Sequence, residues 1–125
     1  MISVGIDLVE IKRISKSMKN PNFLKKILGE NEYLELEKRN FSVQSVAASF
    51  CAKEAFSKAI ETGIRNFGFK EVELLRKESG LPYFKFNGSA LRIVEDNKLS
   101  FSVSVTHTKE YASVVVVAWR KIWKF

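Results

Sequence analysis

Residues 42–63 read SVQSVAASFCAKEAFSKAIETG, and the spacing of their apolar side chains decides the fold. Val43, Val46, Ala47, Phe50, Cys51, Ala55, Ala59 and Ile60 recur three and four apart. That period predicts a long helix with one apolar stripe, opened by Ser42 as its N-cap and closed at Gly63. Everything around this helix reads as strands or short helices. At the start, Ile2, Val4, Ile6 and Leu8 alternate with Ser3, Gly5 and Asp7, which predicts a strand with that apolar row buried and Asp7 turned away from it. Residues 10–18 predict a short helix with Ile11 and Ile14 inward, residues 23–28 another ending at Gly29, and residues 30–39 a charged helix.

Beyond the central helix, residues 72–76 and 81–86 flank the turn sequence KESG and predict a hairpin. A short helix is expected over 89–96. Phe101, Val103 and Val105 alternate with Ser100, Ser102, Ser104 and Thr106, so this strand is half-buried, with His107 continuing its apolar row. The run YASVVVVAW at 111–119 is apolar on both faces, as in a central strand covered on both sides. The expected architecture is α+β: one compact domain over residues 1–125, mainly antiparallel sheet packed around a long central helix.

Composition narrows the function. The 125 residues suit one compact unit, and no repeat, low-complexity tract or Pro/Gly-rich linker divides them. No apolar run reaches the ~20 residues of a membrane span, and the opening MISVGIDLVEIKR lacks the basic-then-apolar layout of a secretory leader. With one cysteine, Cys51, the chain supports neither an internal disulfide nor a zinc cluster, so a cytoplasmic protein is expected. A net charge of +7 favours an anionic partner without saying which. The glycines of TGIRNFGF fit neither phosphate-binding fingerprint, which argues against a P-loop or dinucleotide fold.

Glu54 falls inside the apolar stripe of the central helix, where a carboxylate is costly unless paired or bound to a cation. Two readings stay open: an ion pair with Lys58 one turn on, or membership with Asp7 of a small oxygen-ligand set for Mg²⁺, which typically needs only one or two protein carboxylates. His107, the single histidine, reads as structural or as a ligand contact beside Thr106 and Thr108. Cys51 reads as an inert core thiol. Lys12, Arg13, Lys16, Lys19, Lys25 and Lys26, lying beside Met18, Phe23 and Leu24, form a positive, partly apolar surface or simply a solvated face. A basic module for single-stranded nucleic acid is the alternative from another class, but it needs exposed aromatics, and most Phe residues fall on buried periodic positions.

GIDLVEIKRI, FLKKIL followed by Glu32, FCAKEAFSKAIETGI and SVTHTKEYASVVVVA together resemble the holo-acyl-carrier-protein synthases, the small bacterial branch of the 4′-phosphopantetheinyl transferases. GLPYF at 80–84 matches the family's G-x-P segment, and the resemblance runs nearly the whole chain. It implies transfer of phosphopantetheine from coenzyme A to a serine of apo-acyl carrier protein in fatty acid biosynthesis, leaving adenosine 3′,5′-bisphosphate. It implies Mg²⁺ held by Asp7 and Glu54, with Glu54 and Lys58 catalytic and Glu54 taking the serine proton directly or through a metal-linked water. Phe50, Lys58, Gly63, Pro82, His107 and Thr108 would contact coenzyme A; Arg13, Phe23 and Lys26 would dock the acidic carrier. The family's active form is a homotrimer with sites at subunit interfaces, and neither membrane nor nucleic acid enters as a partner. Three positions depart from the pattern: Ser49 stands where the family commonly has Arg, Arg65 or Asn66 where a second glycine follows Gly63, and Asn22 where an Arg precedes Phe23.

Overall fold

The computed structural model describes residues 2–60 and 67–121. Its elements run β1 (Ile2–Glu10), α1 (Ile11–Ser17), α2 (Phe23–Ile27), α3 (Glu30–Glu37), α4 (Val43–Ala59), a 3₁₀ turn (Phe69–Glu71), β2 (Val72–Arg76), β3 (Pro82–Phe86), α5 (Gly88–Asp96), β4 (Leu99–His107) and β5 (Tyr111–Arg120). The fold is α+β, with antiparallel sheets. β1, β5 and β4 form one sheet in that order, and β2 and β3 form a separate hairpin. The central helix starts where the spacing predicts, with Ser42 Oγ accepting from Ser45 N at 3.3 Å.

Helix α4 lies on one face of the three-stranded sheet, against β1 and β5 above all. Its contact residues are small: Ala47, Ala48, Ala52, Ala55 and Ala59 are all buried. Gly5 is the matching small residue on β1. A Cβ there would overlap the Ala55 carbonyl oxygen and lie 2.6 Å from Ala59 N, so helix and strand touch backbone to backbone. Gly5→Ala is therefore expected to cost about 3 kcal/mol through forced separation of α4 from β1. A thermal melt would register it as a large drop in midpoint, and an unchanged midpoint would refute the tight contact.

Two expectations about the sheet need correction. Ile2, Val4, Ile6 and Leu8 do not face the core: the helix takes the other face of β1, the one carrying Gly5, Asp7 and Val9, and the apolar row is exposed. Asp7 does point away from that row, but toward the protein interior. The helix selects this face because Gly5 lets it approach. β5 is indeed the central strand, yet it is covered on one side only. Ala112, Val114, Val116 and Ala118 are buried, while Ser113, Val115 and Val117 remain half-buried on the face they share with Val4 and Ile6.

The second surprise lies in the core. Lys53, Glu32 and Glu73 are fully buried. Periodicity puts Lys53 at the margin of the apolar stripe, and nothing local in the sequence marks it as interior. A second apolar cluster gathers Phe56, Phe67, Phe84, Phe86 and Phe101 between α4, the hairpin and β4.

Candidate active site

Asp7 reaches the α4 face because it lies two residues beyond Gly5 on the same side of β1. Its Oδ1 accepts from Lys58 Nζ at 3.1 Å, and its Oδ2 faces the Cys51 thiol at 3.5 Å. Lys58 Nζ also donates to the Ile6 carbonyl oxygen at 3.1 Å. The partner of Lys58 is thus Asp7 on the neighbouring strand, not Glu54 one turn back. Glu54 is half-buried beside them, and its carboxyl is raised above the usual range by desolvation first and by the negative charge of Asp7 second. Lys58 and Arg13 pull it the other way. Two carboxylates far apart in sequence therefore lie close enough to repel each other, with one lysine beside them.

Cys51 is buried, and burial with the adjacent Asp7 carboxylate pushes its thiol up to about 12. A thiol so disposed stays protonated and is a poor nucleophile, in line with an inert core residue.

His107 ends β4 on the opposite edge of the sheet from β1, exposed and paired with Ala112. Thr108 follows it, and its Oγ1 accepts from Glu110 N at 3.2 Å and Tyr111 N at 3.0 Å, closing the turn. Next to His107 opens a cavity of about 350 Å³ lined also by Pro82, Arg39, Gln44, Ser45 and Arg76, but by none of Asp7, Glu54 and Lys58. Arg39 and Arg76 were missed by the sequence reading. Arg76 Nη1 is buried, with no hydrogen-bond partner among the described residues. Burial and the neighbouring Arg39 lower its guanidinium from the usual range, against the pull of Glu35 and Glu32. Two cations held together at a cavity wall suit a phosphate. Only the topology brings the end of α3 beside the end of β2, so spacing along the chain carried no signal for the pair.

Arg13 and Lys26 are exposed on α1 and α2, and Phe23 is half-buried. Phe50 stands between Phe23, at 6.4 Å between ring centroids, and Phe69, at 5.5 Å, so it belongs to an aromatic row beside the basic helices. Ser49 is buried, its hydroxyl without a partner among the described residues. Gly63, Arg65 and Asn66 lie outside the described residues.

A model of the 4′-phosphopantetheinyl transferase superfamily matches residues 3–116. The chain belongs to that superfamily. Among similar transferases, the holo-[acyl-carrier-protein] synthase of Clostridium perfringens is 40% identical over 118 residues, spanning 90% of this chain and 89% of the relative. The crystal structure of the Neisseria meningitidis holo-[acyl-carrier-protein] synthase superposes with a TM-score of 0.89 at 32% identity, covering 96% of this transferase and all of that chain. A Bacillus anthracis synthase solved in complex with CoA (3′,5′-ADP) gives a TM-score of 0.79 at 30% identity, covering 95% of this chain and 96% of that one.

Proposed function

We propose that this protein transfers 4′-phosphopantetheine from coenzyme A to a serine hydroxyl of apo-acyl carrier protein in fatty acid biosynthesis, releasing adenosine 3′,5′-bisphosphate. The observation that carries the reading is the convergence of Asp7 and Glu54 beside Lys58. Two hard carboxylates brought together beside one lysine suit Mg²⁺, which completes its shell with water and phosphate oxygens. A larger protein ligand set is not needed, and no cluster of three or more His, Cys, Asp or Glu occurs among the described residues. Bound there, Mg²⁺ would neutralise the pyrophosphate and stabilise the leaving bisphosphate.

The chain's own groups supply the rest. Lys58, half-exposed and hinged on Asp7, offsets charge on the phosphoryl oxygens. The serine oxygen attacks the β-phosphorus, the bond from that phosphorus to the bridging oxygen breaks, and the serine proton passes to the Glu54 carboxylate. Glu54 sits half-buried beside Asp7 and Lys58, placed to take that proton directly or through a metal-linked water. Arg39, Arg76 and His107, with Pro82 in the same lining, take the 3′-phosphate end of the nucleotide in the cavity beside His107.

These two half-sites lie on opposite edges of the sheet. β5 intervenes between β1 and β4, and His107 stands two residues along the register from the position level with Asp7. The cavity beside His107 is lined by none of Asp7, Glu54 and Lys58, which supports a nucleotide held between the two halves of neighbouring chains. The exposed apolar row of β1 supplies a surface for self-association, and we assign a homotrimer with interfacial sites. A buried protonated thiol and a coenzyme A substrate fit a cytoplasmic enzyme; no helix among the described residues is long and apolar enough to cross a membrane.

The direct test is Mg²⁺-dependent incorporation of labelled phosphopantetheine from coenzyme A into an apo-carrier protein. Absence of incorporation by wild-type protein would reject the reading. Docking is tested separately. Arg13 is exposed on α1 and close enough to Glu54 to lower its pKa, so it stands where an acidic carrier must present its serine. Arg13→Glu is expected to raise KM for the carrier about tenfold or more while KM for coenzyme A moves little. Equal changes in both constants would count against this docking surface.

A further inference from the structure

The buried charges of the core are arranged as a clamp. Lys53 Nζ donates to Glu32 Oε1 at 2.6 Å and to the Val72 carbonyl oxygen. Glu32 accepts further from Gly29 N at 3.1 Å and, on its other oxygen, from Leu74 N at 3.0 Å. Glu73 in turn accepts from Glu32 N at 2.8 Å and from Asn31 Nδ2 at 3.1 Å. One lysine and two carboxylates thus fasten α3, α4 and β2 through bonds that need a fixed geometry.

A buried ion pair is weak evidence for stability, because well-packed apolar residues in its place are often neutral or stabilising. Its distinguishing property is direction. Much of the remaining packing of α4 runs through the small side chains Ala47, Ala48, Ala52, Ala55 and Ala59, with Cys51 against Ala112 and Phe56 in the second apolar cluster, contacts that are less directional than the bonds of Lys53. Lys53 immediately precedes Glu54, and successive helical residues are turned about 100° from one another. Pinning Lys53 to Glu32 and Val72 on one side therefore sets where Glu54 points on the other, toward Asp7. The same α3 holds the strand that carries Arg76, through Glu35 Oε1 accepting from Arg76 N at 3.0 Å.

We propose that Lys53 is a positioning residue: through its buried bonds to Glu32 and Val72 it fixes the rotation of α4 and so the approach of Glu54 to Asp7. The inference rests on the metal-binding reading of that carboxylate pair. It is tested with Lys53→Met/Glu32→Gln, which removes both charges together and leaves none unpaired between them, and with Glu32→Gln alone, which keeps an acceptor oxygen for Gly29 N but takes the carboxylate from the buried Lys53 ammonium. Val46→Ala, a cavity two turns before Lys53 on the same helix that touches none of the clamp's hydrogen bonds, controls for destabilisation.

Mg²⁺ affinity is measured directly by titration calorimetry, and kcat and KM in the transfer assay. The double variant is expected to bind Mg²⁺ about tenfold more weakly and to lose about 10- to 100-fold in kcat, with KM for the carrier within about twofold. Glu32→Gln should move both quantities in the same direction, and Val46→Ala should leave both within about twofold. Mg²⁺ affinity and kcat within twofold of wild type in both clamp variants would overturn the proposal, as would an equal loss in Val46→Ala. Failure of wild-type protein to transfer phosphopantetheine would instead strike the enzymatic reading, and the calorimetric comparison would still test the clamp.

Discussion

Asp7→Asn and Glu54→Gln proteins will remain folded and lose transferase activity on the order of a thousandfold each, the scale expected when a charge-stabilising group is removed from a reacting centre. Retained stability is the discriminating half of this result. Asp7 raises the pKa of Glu54, so the two carboxylates repel each other in the free protein, and neutralising either relieves that cost. Neither substitution changes volume much, and an amide oxygen at position 7 still accepts from Lys58 Nζ. The melting temperature should therefore hold or rise while the rate collapses, whereas a structural ion pair would give the reverse. Mg²⁺ binding should weaken together with the rate. If both variants kept activity within tenfold of wild type, the carboxylate pair would not be the metal site and the mechanism built on it would fall.

The parts of this molecule legible in the sequence are those encoded by local period. The start of α4 at its Ser42 cap, the β2–β3 hairpin and the central place of β5 all follow from spacing within a dozen residues, whereas the helix ends at Ala59, short of the expected Gly63. The Asp7–Glu54 pair was reachable because a carboxylate inside an apolar stripe needs an explanation. What the period could not decide is which face of β1 meets the helix. Both faces of that strand are plausible interiors by alternation, one offering Ile2, Val4, Ile6 and Leu8 and the other Gly5, Asp7 and Val9. Burial went to the less apolar face because only Gly5 permits backbone contact with Ala55 and Ala59. Lys53 escaped notice for a related reason: its burial depends on Glu32 and Glu73, 21 and 20 residues away in opposite directions, and no local pattern records a partner at that range. Arg39 and Arg76 likewise become a pair only through the docking of α3 on β2.

The apolar row left outside by this choice leads to the second large effect. Ile2, Val4, Ile6 and Leu8 are 77, 57, 61 and 62% exposed, alongside half-buried Val115 and Val117, a contiguous apolar surface of a kind monomers rarely display. Ile6→Asp introduces a charge at a position already open to water within one chain, so its cost to the isolated fold should stay within about 0.5 kcal/mol. In the assembled protein the same charge would be buried against a neighbour without a partner. Sedimentation should show wild-type trimers and Ile6→Asp monomers, and the monomers should be nearly inactive although Asp7, Glu54 and Lys58 are untouched. Mixing supplies the sharper version. If one chain provides the carboxylate pair and the next provides His107, Asp7→Ala and His107→Ala proteins, each inactive alone, will regain activity when refolded together. Random assembly around a threefold axis leaves about a quarter of the sites intact in both halves, and that fraction of wild-type activity is the expected recovery. No recovery from the mixture, with trimers present, would place both half-sites in a single chain and remove the reason for an interfacial active centre.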